Sequence, residues 1–355
     1  SIAYVNQWHQ PLDVACCYAQ AIEQAHRSAD PVLDEAILPQ QTLWVDVSAL
    51  ALEDLGTGIQ RVVRATVIQW LKNVEHQWRI ELVRLDAYSL KYARRLTERW
   101  IGLDDGVLGD EEAALPSPGD VVLFLDLATD VIVRYKDFLA ALSDAGIGIQ
   151  AVVYDLLPIS HPQWFPQDAV ASFRDWAATI AENGQALHCI SRATASEVRS
   201  RLQTQAKVHW FHLGSDIEAS IPSTEDLDAV TRLLAGWDHR ATVCMVSTVE
   251  PRKGHRQVLD AMDRLWACGS DIRLVVIGKP GWMVDELIDR LRHHPRQGND
   301  LYWFEAASDA LLEAVYQRSQ LFVMASEGEG FGLPIVEAAR YGVAPVSYTH
   351  LTLPT

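Results

Sequence analysis

Several features that would assign this chain to a common class are missing from its sequence. No stretch reaches the ~18 consecutive apolar residues that a membrane-spanning helix needs, and no basic, apolar signal segment opens it. The five cysteines include no C-x-x-C pair, which is typical of a reduced compartment. Lys and Arg number 30 against 47 Asp and Glu, and a net charge of -17 is the wrong sign for binding nucleic acid. We therefore expect a cytoplasmic protein, with peripheral docking on a membrane left open.

Signals for metals and dinucleotides are also weak. The adjacent histidines His293 and His294 form the one histidine pair in the sequence, and neighbouring residues point apart on a helix. Neither half contains the G-x-G-x-x-G fingerprint of a dinucleotide-binding loop, which makes a nicotinamide dehydrogenase a poor match. We expect no metal and no cofactor.

What the sequence does contain is an alternation of short apolar runs and helical stretches. From residue 42, apolar runs at 43–47, 121–125, 150–154, 186–190 and 208–212 predict strands, and 59–71, 131–145 and 169–180 predict helices. The alternation restarts after a turn-rich stretch, 214–227. Strands are expected at 241–247, 272–277, 301–304 and 321–324, and helices at 255–267, 284–293, 309–318 and 333–341. Continuous apolar strands between helices indicate parallel sheets that are covered on both faces.

This pattern predicts two doubly wound α/β domains, with a ligand cleft at the carboxyl ends of both sheets. We expect a helical extension at 1–40, an N-terminal domain at 41–228 and a C-terminal domain at 229–347. The first residue is Ser1 rather than Met, so the natural start is expected to lie upstream.

The most informative motif lies at 325–341 and reads ASEGEGFGLPIVEAARY. Gly330 and Gly332 allow the backbone to approach a ligand closely, and the free amides of the following helix favour an anion such as a diphosphate. The carboxylates of Glu329 and Glu337 can accept hydrogen bonds from the hydroxyls of a sugar or ribose. The structural alternative is a strand–turn–helix connection with acids that face solvent.

Two further loops carry chemistry at the ends of predicted strands. The first reads STVEPRKG, and its Arg252 and Lys253 suit a diphosphate that is losing its sugar. The alternative is a solvated pair of cations. The second, VIGKPGW, turns through Gly278 and is otherwise a plain Gly-Pro turn.

The string E-x-G-F-G-L-P-x-x-E-A resembles the E-x7-E signature of the retaining GT4-type glycosyltransferases, and the R-K-G and G-x-x-G-W loops are similar to theirs. The resemblance covers roughly 43–347. It implies a GT-B fold, in which two Rossmann-like domains face a central cleft, and catalysis without a metal. Arg252, Lys253 and Glu329 would then be catalytic. The donor-binding residues that the resemblance implies are Gly58, Gly278, Gly330, Phe331, Gly332, Leu333 and Glu337.

The acceptor side rests on two more segments. The loop G-T-G-I-Q-R, with Gly58, resembles the glycine loop that approaches the leaving phosphate in the family. The segment VVYDLLPISHPQWF resembles the family's H-D-L-x-P, with Tyr154 in place of the histidine and Asp155 matching. An acceptor site here would use Tyr154, Asp155 or His161, and a structural role for His161 is the alternative.

These motifs resemble those of bacterial mannosyltransferases of O-antigen and exopolysaccharide assembly. We expect GDP-mannose as the donor, with a hexose attached to UDP as the alternative, and a saccharide or lipid-linked saccharide as the acceptor. A non-catalytic nucleotide-sugar-binding module and a GT-B epimerase are the rival functions. Because the family continues past residue 347, we expect the sequence to be truncated at its C-terminus and the tail YTHLTLPT, 348–355, to be non-native.

Overall fold

The structure is a computed structural model. It describes residues 41–347, except for 55, 73–77, 87–88, 215–227, 229, 232–233 and 238. The predicted helical extension 1–40, nearly all of the turn-rich stretch 214–227 and the predicted tail 348–355 lie outside the described residues. Within the described part of the chain, no helix combines the length and the apolar character needed to cross a membrane.

The first sheet has the strand order β4-β3-β2-β1-β5-β6-β7-β8. Its strands are β1 (Thr42–Asp46), β2 (Arg79–Asp86), β3 (Ser89–Tyr92), β4 (Ala113–Ala114), β5 (Val121–Phe124), β6 (Gly148–Val153), β7 (Ala186–Cys189) and β8 (Lys207–Trp210). Strand β1 pairs in parallel with β2 and β5, and β5 pairs in parallel with β6. Strands β2 to β4 form antiparallel pairs at one edge, which the sequence pattern did not predict.

The helices of this region are α1 (Ser48–Leu52), α2 (Gly58–Lys72), α3 (Arg94–Ile101), α4 (Thr129–Arg134), α5 (Lys136–Asp144), α6 (Leu157–Ser160), α7 (Gln167–Asn183) and α8 (Arg192–Arg201). The single helix predicted at 131–145 is wrong in one respect, because Tyr135 leaves helical geometry and separates α4 from α5.

The second sheet has the order β11-β10-β9-β12-β13, and every pair in it is parallel. Its strands are β9 (Ala241–Val246), β10 (Ile272–Ile277), β11 (Leu301–Phe304), β12 (Leu321–Met324) and β13 (Ala344–Ser347). Its helices are α9 (His255–Ala267), α10 (Asp285–Arg292), α11 (Asp309–Arg318) and α12 (Leu333–Arg340). All of these except β13 were predicted from the sequence.

Side chains of β10 show why this sheet is covered on both faces. Leu274 and Val276 join a buried cluster with α9 and α10. Val275 and Ile277, on the opposite face, join a cluster with α11 and α12. Successive side chains of a strand point to opposite faces, so burial on both faces favours a largely apolar strand, and Arg273 is the buried exception in β10.

The chain divides into two compact units that do not follow the order of the sequence. One contains the described residues up to Val153, with Asp175–His188 and Arg201–His209. The other contains Tyr154–Arg174, Cys189–Ser200 and the described residues from Trp210 onward. Two segments from the first sheet's connections therefore pack with the second sheet.

Candidate functional site

Three loops of the second sheet meet at one edge. They follow β9, β10 and β12, and β9 lies between the other two strands. Because the strands are parallel, their carboxyl ends and the loops that follow them lie on the same side. Backbone hydrogen bonds tie the loops together, from Gly281 N to Val249 O at 2.9 Å and from Glu327 N to Arg252 O at 2.7 Å.

Glycines make this close approach possible. Gly254 has a φ of 75°, and a Cβ placed on it would lie 2.3 Å from the carbonyl oxygen of Ala325. A Cβ on Gly278 would lie 1.9 Å from the carbonyl oxygen of Ser247. Any other residue at these two positions would push the loops apart.

An ionic cluster lies where the β9 and β12 loops meet. Lys253 Nζ donates to Glu329 Oε1 at 2.6 Å, and Arg252 Nη1 lies 3.5 Å from the same oxygen. Arg252 Nη1 also donates to the carbonyl oxygen of Gly328 at 2.7 Å, and its Nη2 donates to Glu250 Oε1 at 3.3 Å. The structure thus brings together Arg252, Lys253 and Glu329, the three predicted catalytic residues, from loops 76 positions apart.

The cations decide which carboxylate of the cluster stays ionised. Burial opposes the charge on Glu329, but Lys253 and Arg252 outweigh it and hold the pKa of Glu329 below its ordinary value. Burial of Glu250 prevails over the same two cations and raises its pKa. Burial would lower the pKa of Arg252, yet Glu329, Glu250 and Asp155 together raise it. Near neutral pH, Arg252 is therefore charged and Glu329 is ionised.

Three polar atoms near this cluster are buried and lack a hydrogen-bond partner among the described residues. They are Arg252 Nε, Glu250 Oε2 and His255 Nδ1. His255, the first residue of α9, is 3% exposed, and its burial beside Lys253 lowers its pKa to about 3. A buried polar atom without a hydrogen-bond partner is costly, and a bound ligand can complete the hydrogen bonds of these three atoms.

The predicted acceptor segment packs directly on the β12 loop. A Cβ on Gly330 would lie 2.1 Å from the carbonyl oxygen of Tyr154, and one on Gly328 would lie 2.9 Å from the Trp164 ring. The indole of Trp282 donates to the carbonyl oxygen of Trp164 at 2.8 Å. These contacts place Gly330 against the backbone carbonyl of Tyr154 and Gly328 against the Trp164 ring, where a larger residue would not fit.

The three predicted acceptor residues have different surroundings. Asp155 accepts from Leu157 N at 3.0 Å, and burial raises its pKa against the opposing effect of Arg252. Tyr154 is 6% exposed. His161 stacks on Trp164, with ring centroids 4.2 Å apart, and its Nδ1 lies 3.0 Å from Ser160 Oγ. Asp155 thus interacts electrostatically with the ionic cluster, whereas the recorded contacts of His161 are with its own segment.

Four residues that are predicted to bind the donor lie in α12 or just before it: Phe331, Gly332, Leu333 and Glu337. Gly332 is left-handed at the N-cap, Leu333 is the first helical residue and Phe331 is buried. Glu337 is 5% exposed, and the hydroxyl of Tyr316 donates to its Oε2 at 3.2 Å.

Gly58 lies in the other compact unit, as the first residue of α2. The helix start is capped by Thr57 and Gln60, whose side chains each accept from the other's backbone amide, at 3.3 and 3.2 Å.

Sequence reasoning missed Glu250, His255 and Trp164 as members of the site. Glu250 and His255 flank the predicted cations in the string EPRKGH, so charge and spacing could have drawn attention to them. Nothing in the sequence pairs Trp164 with Gly328, because that contact depends on the packing of two distant segments.

Comparisons with known proteins indicate a glycosyltransferase. Residues 236–354 match the family described as glycosyl transferases group 1. The chain is 36% identical over 310 residues to the serotype-specific mannosyltransferase WbdA of Escherichia coli. This alignment covers 84% of the present chain and 37% of WbdA. The chain is 27% identical over 206 residues to the O-antigen chain mannosyltransferase B of Escherichia coli, covering 57% of this chain and 53% of that protein. The chain therefore spans just over a third of the length of WbdA.

Solved structures share the fold. The crystal structure of Anabaena HepE in complex with UDP-glucose matches with a TM-score of 0.56 and 15% identity, over 86% of this chain and 80% of that one. The catalytic domain of starch synthase IV from Arabidopsis thaliana matches with a TM-score of 0.52 and 14% identity, over 89% and 86%. The predicted GT-B fold is confirmed. The segment 236–354 therefore belongs to the glycosyl transferases group 1 family, and its described residues include every strand of the second, all-parallel sheet.

Proposed function

We propose that this chain is the catalytic part of a retaining, metal-independent mannosyltransferase that transfers mannose from GDP-mannose to a saccharide in polysaccharide or O-antigen assembly. The observation that carries the proposal is the cluster of Arg252, Lys253 and Glu329, with unsatisfied polar atoms buried beside it. The similarity to mannosyltransferases of Escherichia coli supports the choice of sugar.

In this proposal the two cations bind the diphosphate of the donor. Arg252 offers a planar fork of donors and Lys253 a point charge, and together they stabilise the negative charge that develops as the sugar leaves. The counter-charge of Glu329 keeps the two cations in place before the donor binds, since its carboxylate bonds to Lys253.

Glu329 and the backbone amides of Gly330 and Gly332 are proposed to bind the sugar hydroxyls. Glu337 accepts hydrogen bonds from the ribose. The acceptor hydroxyl attacks from the side of the leaving group, the bond from the sugar to the diphosphate breaks, and the diphosphate oxygen takes the proton. Asp155, whose pKa is raised, lies where the acceptor segment meets the cluster.

A thermal-shift screen tests the donor half of the proposal. GDP-mannose should raise the melting temperature of the chain, because a ligand at 100 times its Kd stabilises a protein by about 2.7 kcal/mol. UDP-glucose, dTDP-rhamnose and NAD should give smaller shifts, and Lys253→Ala should abolish the effect of GDP-mannose. A larger shift with UDP-glucose would contradict the assigned donor, and a shift with NAD alone would contradict the family of chemistry.

A transfer assay with GDP-mannose and manno-oligosaccharides separates the enzyme from a module that only binds the donor. Tyr154 stands where many family members have histidine and is buried, which is the observation that favours the binding module. Formation of a longer oligosaccharide would exclude that alternative. Binding of GDP-mannose without any transfer by the complete protein would support it.

A further inference from the structure

An exposed tryptophan lies at the carboxyl end of β8. Trp210 is 36% exposed, the last residue of the strand that ends the first sheet. Backbone bonds run from Lys207 N to Gln185 O and from Phe211 N to Cys189 O, both at 2.9 Å. Both pairings advance by four residues along each strand, so β7 and β8 are parallel and their carboxyl ends lie together.

Two polar side chains frame the Trp210 ring. The guanidinium of Arg192, at the start of α8, lies 4.9 Å from the ring centroid. The imidazole of His212 meets the indole edge-on, with centroids 5.0 Å apart and planes at 75°. Both framing residues are exposed, so the Trp210 ring, its cation and its imidazole form one solvent-facing surface.

This surface leads to the donor loop. The ring of His212 lies 6.5 Å from that of Phe331, which sits between Gly330 and Gly332. The two centroid distances place the Trp210 indole no more than about 12 Å from Phe331. All four residues belong to the same compact unit.

The chemistry of the surface matches a sugar residue. A pyranose ring presents C–H bonds on its faces and hydroxyls around its rim. An aromatic face suits the first, and a guanidinium and an imidazole suit the second, since both offer N–H donors. A saccharide chain whose end lies at the donor loop would extend across this distance within a few residues.

We propose that Trp210, with Arg192 and His212, forms a subsite that binds one sugar residue of the saccharide acceptor, at a distance from the reacting end. The inference rests on the proposed function, because it takes the molecule that reaches the donor loop to be a saccharide. It makes the Trp210 subsite a determinant of acceptor chain length and affinity, separate from donor binding.

Calorimetric titration of the chain and its variants with α-linked mannotetraose tests the subsite. Trp210→Ala should raise the Kd for mannotetraose about tenfold, and Trp210→Phe should fall between that variant and the wild type. With mannobiose in place of mannotetraose, the Kd values of Trp210→Ala and the wild type should differ less. The shorter chain does not reach both the donor loop and the Trp210 subsite.

Phe211→Ala is the matched control. Phe211 is 39% exposed and adjacent in sequence, but successive residues of an extended chain point to opposite faces. Its Kd for mannotetraose should equal that of the wild type. Trp210 and Phe211 have similar exposed fractions, so Trp210→Ala and Phe211→Ala should lower the melting temperature by similar, small amounts.

Donor binding distinguishes the two proposals. GDP-mannose should raise the melting temperature of Trp210→Ala as much as that of the wild type. An unchanged Kd for mannotetraose in Trp210→Ala, an equal loss in Phe211→Ala, or no binding of mannotetraose to the wild type would each overturn the subsite. A failure of GDP-mannose to bind would instead overturn the proposed function.

A lipid membrane is the rival occupant of this surface, and sedimentation with vesicles of phosphatidylethanolamine and phosphatidylglycerol tests it. Exposed aromatic side chains also bind at lipid surfaces. The subsite predicts equal vesicle binding by the wild type and Trp210→Ala. Loss of vesicle binding in Trp210→Ala with unchanged oligosaccharide binding would make the surface a membrane contact and overturn the proposal.

Discussion

Each compact unit buries carboxylates at the ends of parallel strands, and the two sets differ in their partners. Asp46 is the last residue of β1 and Asp126 lies two residues after β5, and they are 0% and 3% exposed. Ser48 Oγ donates to Asp46, and the amides of Leu50 and Leu127 donate to Asp126. Burial, with Asp126 nearby, raises the pKa of Asp46 to about 7.

In the second unit, cations replace these neutral partners. Glu329 is partly buried, with a side chain that is 10% exposed, and Lys253 and Arg252 hold its pKa below the ordinary value. Burial thus raises the pKa of Asp46 among hydroxyls and amides, whereas the two cations lower that of Glu329, although burial prevails over them at Glu250. Only the second arrangement offers fixed charges to a ligand, which is why we assign the chemistry there.

Of the substitutions that test this contrast, Lys253→Ala should have the largest effect, and the effect should be on turnover. Lys253→Ala takes away one of two cations that face the departing diphosphate, and turnover should fall about 10²- to 10³-fold. The measurement is the initial rate of mannose transfer to manno-oligosaccharide. Lys136→Ala, which removes an exposed lysine from the start of α5, should match the wild type. Equal rates for the two variants would remove Lys253 from the mechanism.

Asp46→Asn tests the first unit, in which the hydrogen-bond partner of the buried Asp46 is the neutral Ser48. The folded pKa of Asp46 is about 7 and the unfolded value is about 3.9, so folding favours the protonated form. The stability that this group contributes is complete below about pH 4 and is lost as the pH rises through 7, on the order of 3–4 kcal/mol. Urea unfolding at pH 5 and pH 8 should show about two-thirds of this loss in the wild type, because part of it occurs below pH 5, and much less of it in Asp46→Asn.

Glu329→Gln tests a carboxyl group whose pKa shifts in the opposite direction on folding. The pKa of Glu329 is lowered on folding, so its contribution is present above the unfolded pKa and is lost as the pH falls through the folded pKa. This variant should change the pH dependence of unfolding on the acid side, and leave the slope between pH 5 and pH 8 as in the wild type. The same slope change in both variants would mean that the two environments are alike.

Gly330→Ala tests the packing of the donor loop. A Cβ there would lie 2.1 Å from the carbonyl oxygen of Tyr154, and relieving the clash should cost about 1–3 kcal/mol of unfolding free energy. Gly58→Ala is the control, since nothing lies within 4 Å of its added Cβ and the residue starts a helix. Its stability should be unchanged or slightly higher. A Gly330→Ala variant as stable as the wild type would contradict the contact with Tyr154.

The smallest effect is expected from Glu337→Gln. If Glu337 binds the ribose, the KM for GDP-mannose should rise about tenfold with kcat little changed, because the interaction is equal in the ground and transition states. Tyr316→Phe, which removes the hydroxyl that donates to Glu337, should give a smaller rise. Glu329→Gln should lower kcat instead. The same kinetic change in both glutamate variants would refute their separate roles.

The sequence predicted the second sheet better than the first, for a physical reason. Strand β10, with the sequence IRLVVI, is buried on both faces and contains the apolar run LVVI after Arg273, whose side chain is buried against Trp237. Strand β2, RIELVRLD, was not predicted because apolar and charged residues alternate along it. Its Arg79 pairs with Glu81 of the same strand, whereas Arg84 pairs with Glu111, a partner that is not apparent from the strand's own pattern.

The candidate site was predictable in parts and not as a whole. The glycine-rich loop and the R-K pair each indicated phosphate chemistry from local sequence alone. The bond between Lys253 and Glu329 depends on two loops that meet only because β12 lies beside β9 in the sheet. The burial that separates the pKa of Glu250 from that of Glu329 is likewise a property of the assembled loops.

The packing of 154–174 against the donor loops has a consequence for how such enzymes exchange specificity. Recombination between relatives at residue 228 would transplant Gly328, Gly330 and Trp282 while leaving behind Tyr154 and Trp164, against which they pack. A crossover before residue 154 would carry both halves of that contact into the hybrid. The inherited unit of donor recognition therefore begins before residue 154 and not at 229, and hybrids that respect it should fold more often than those cut at the apparent boundary between sheets.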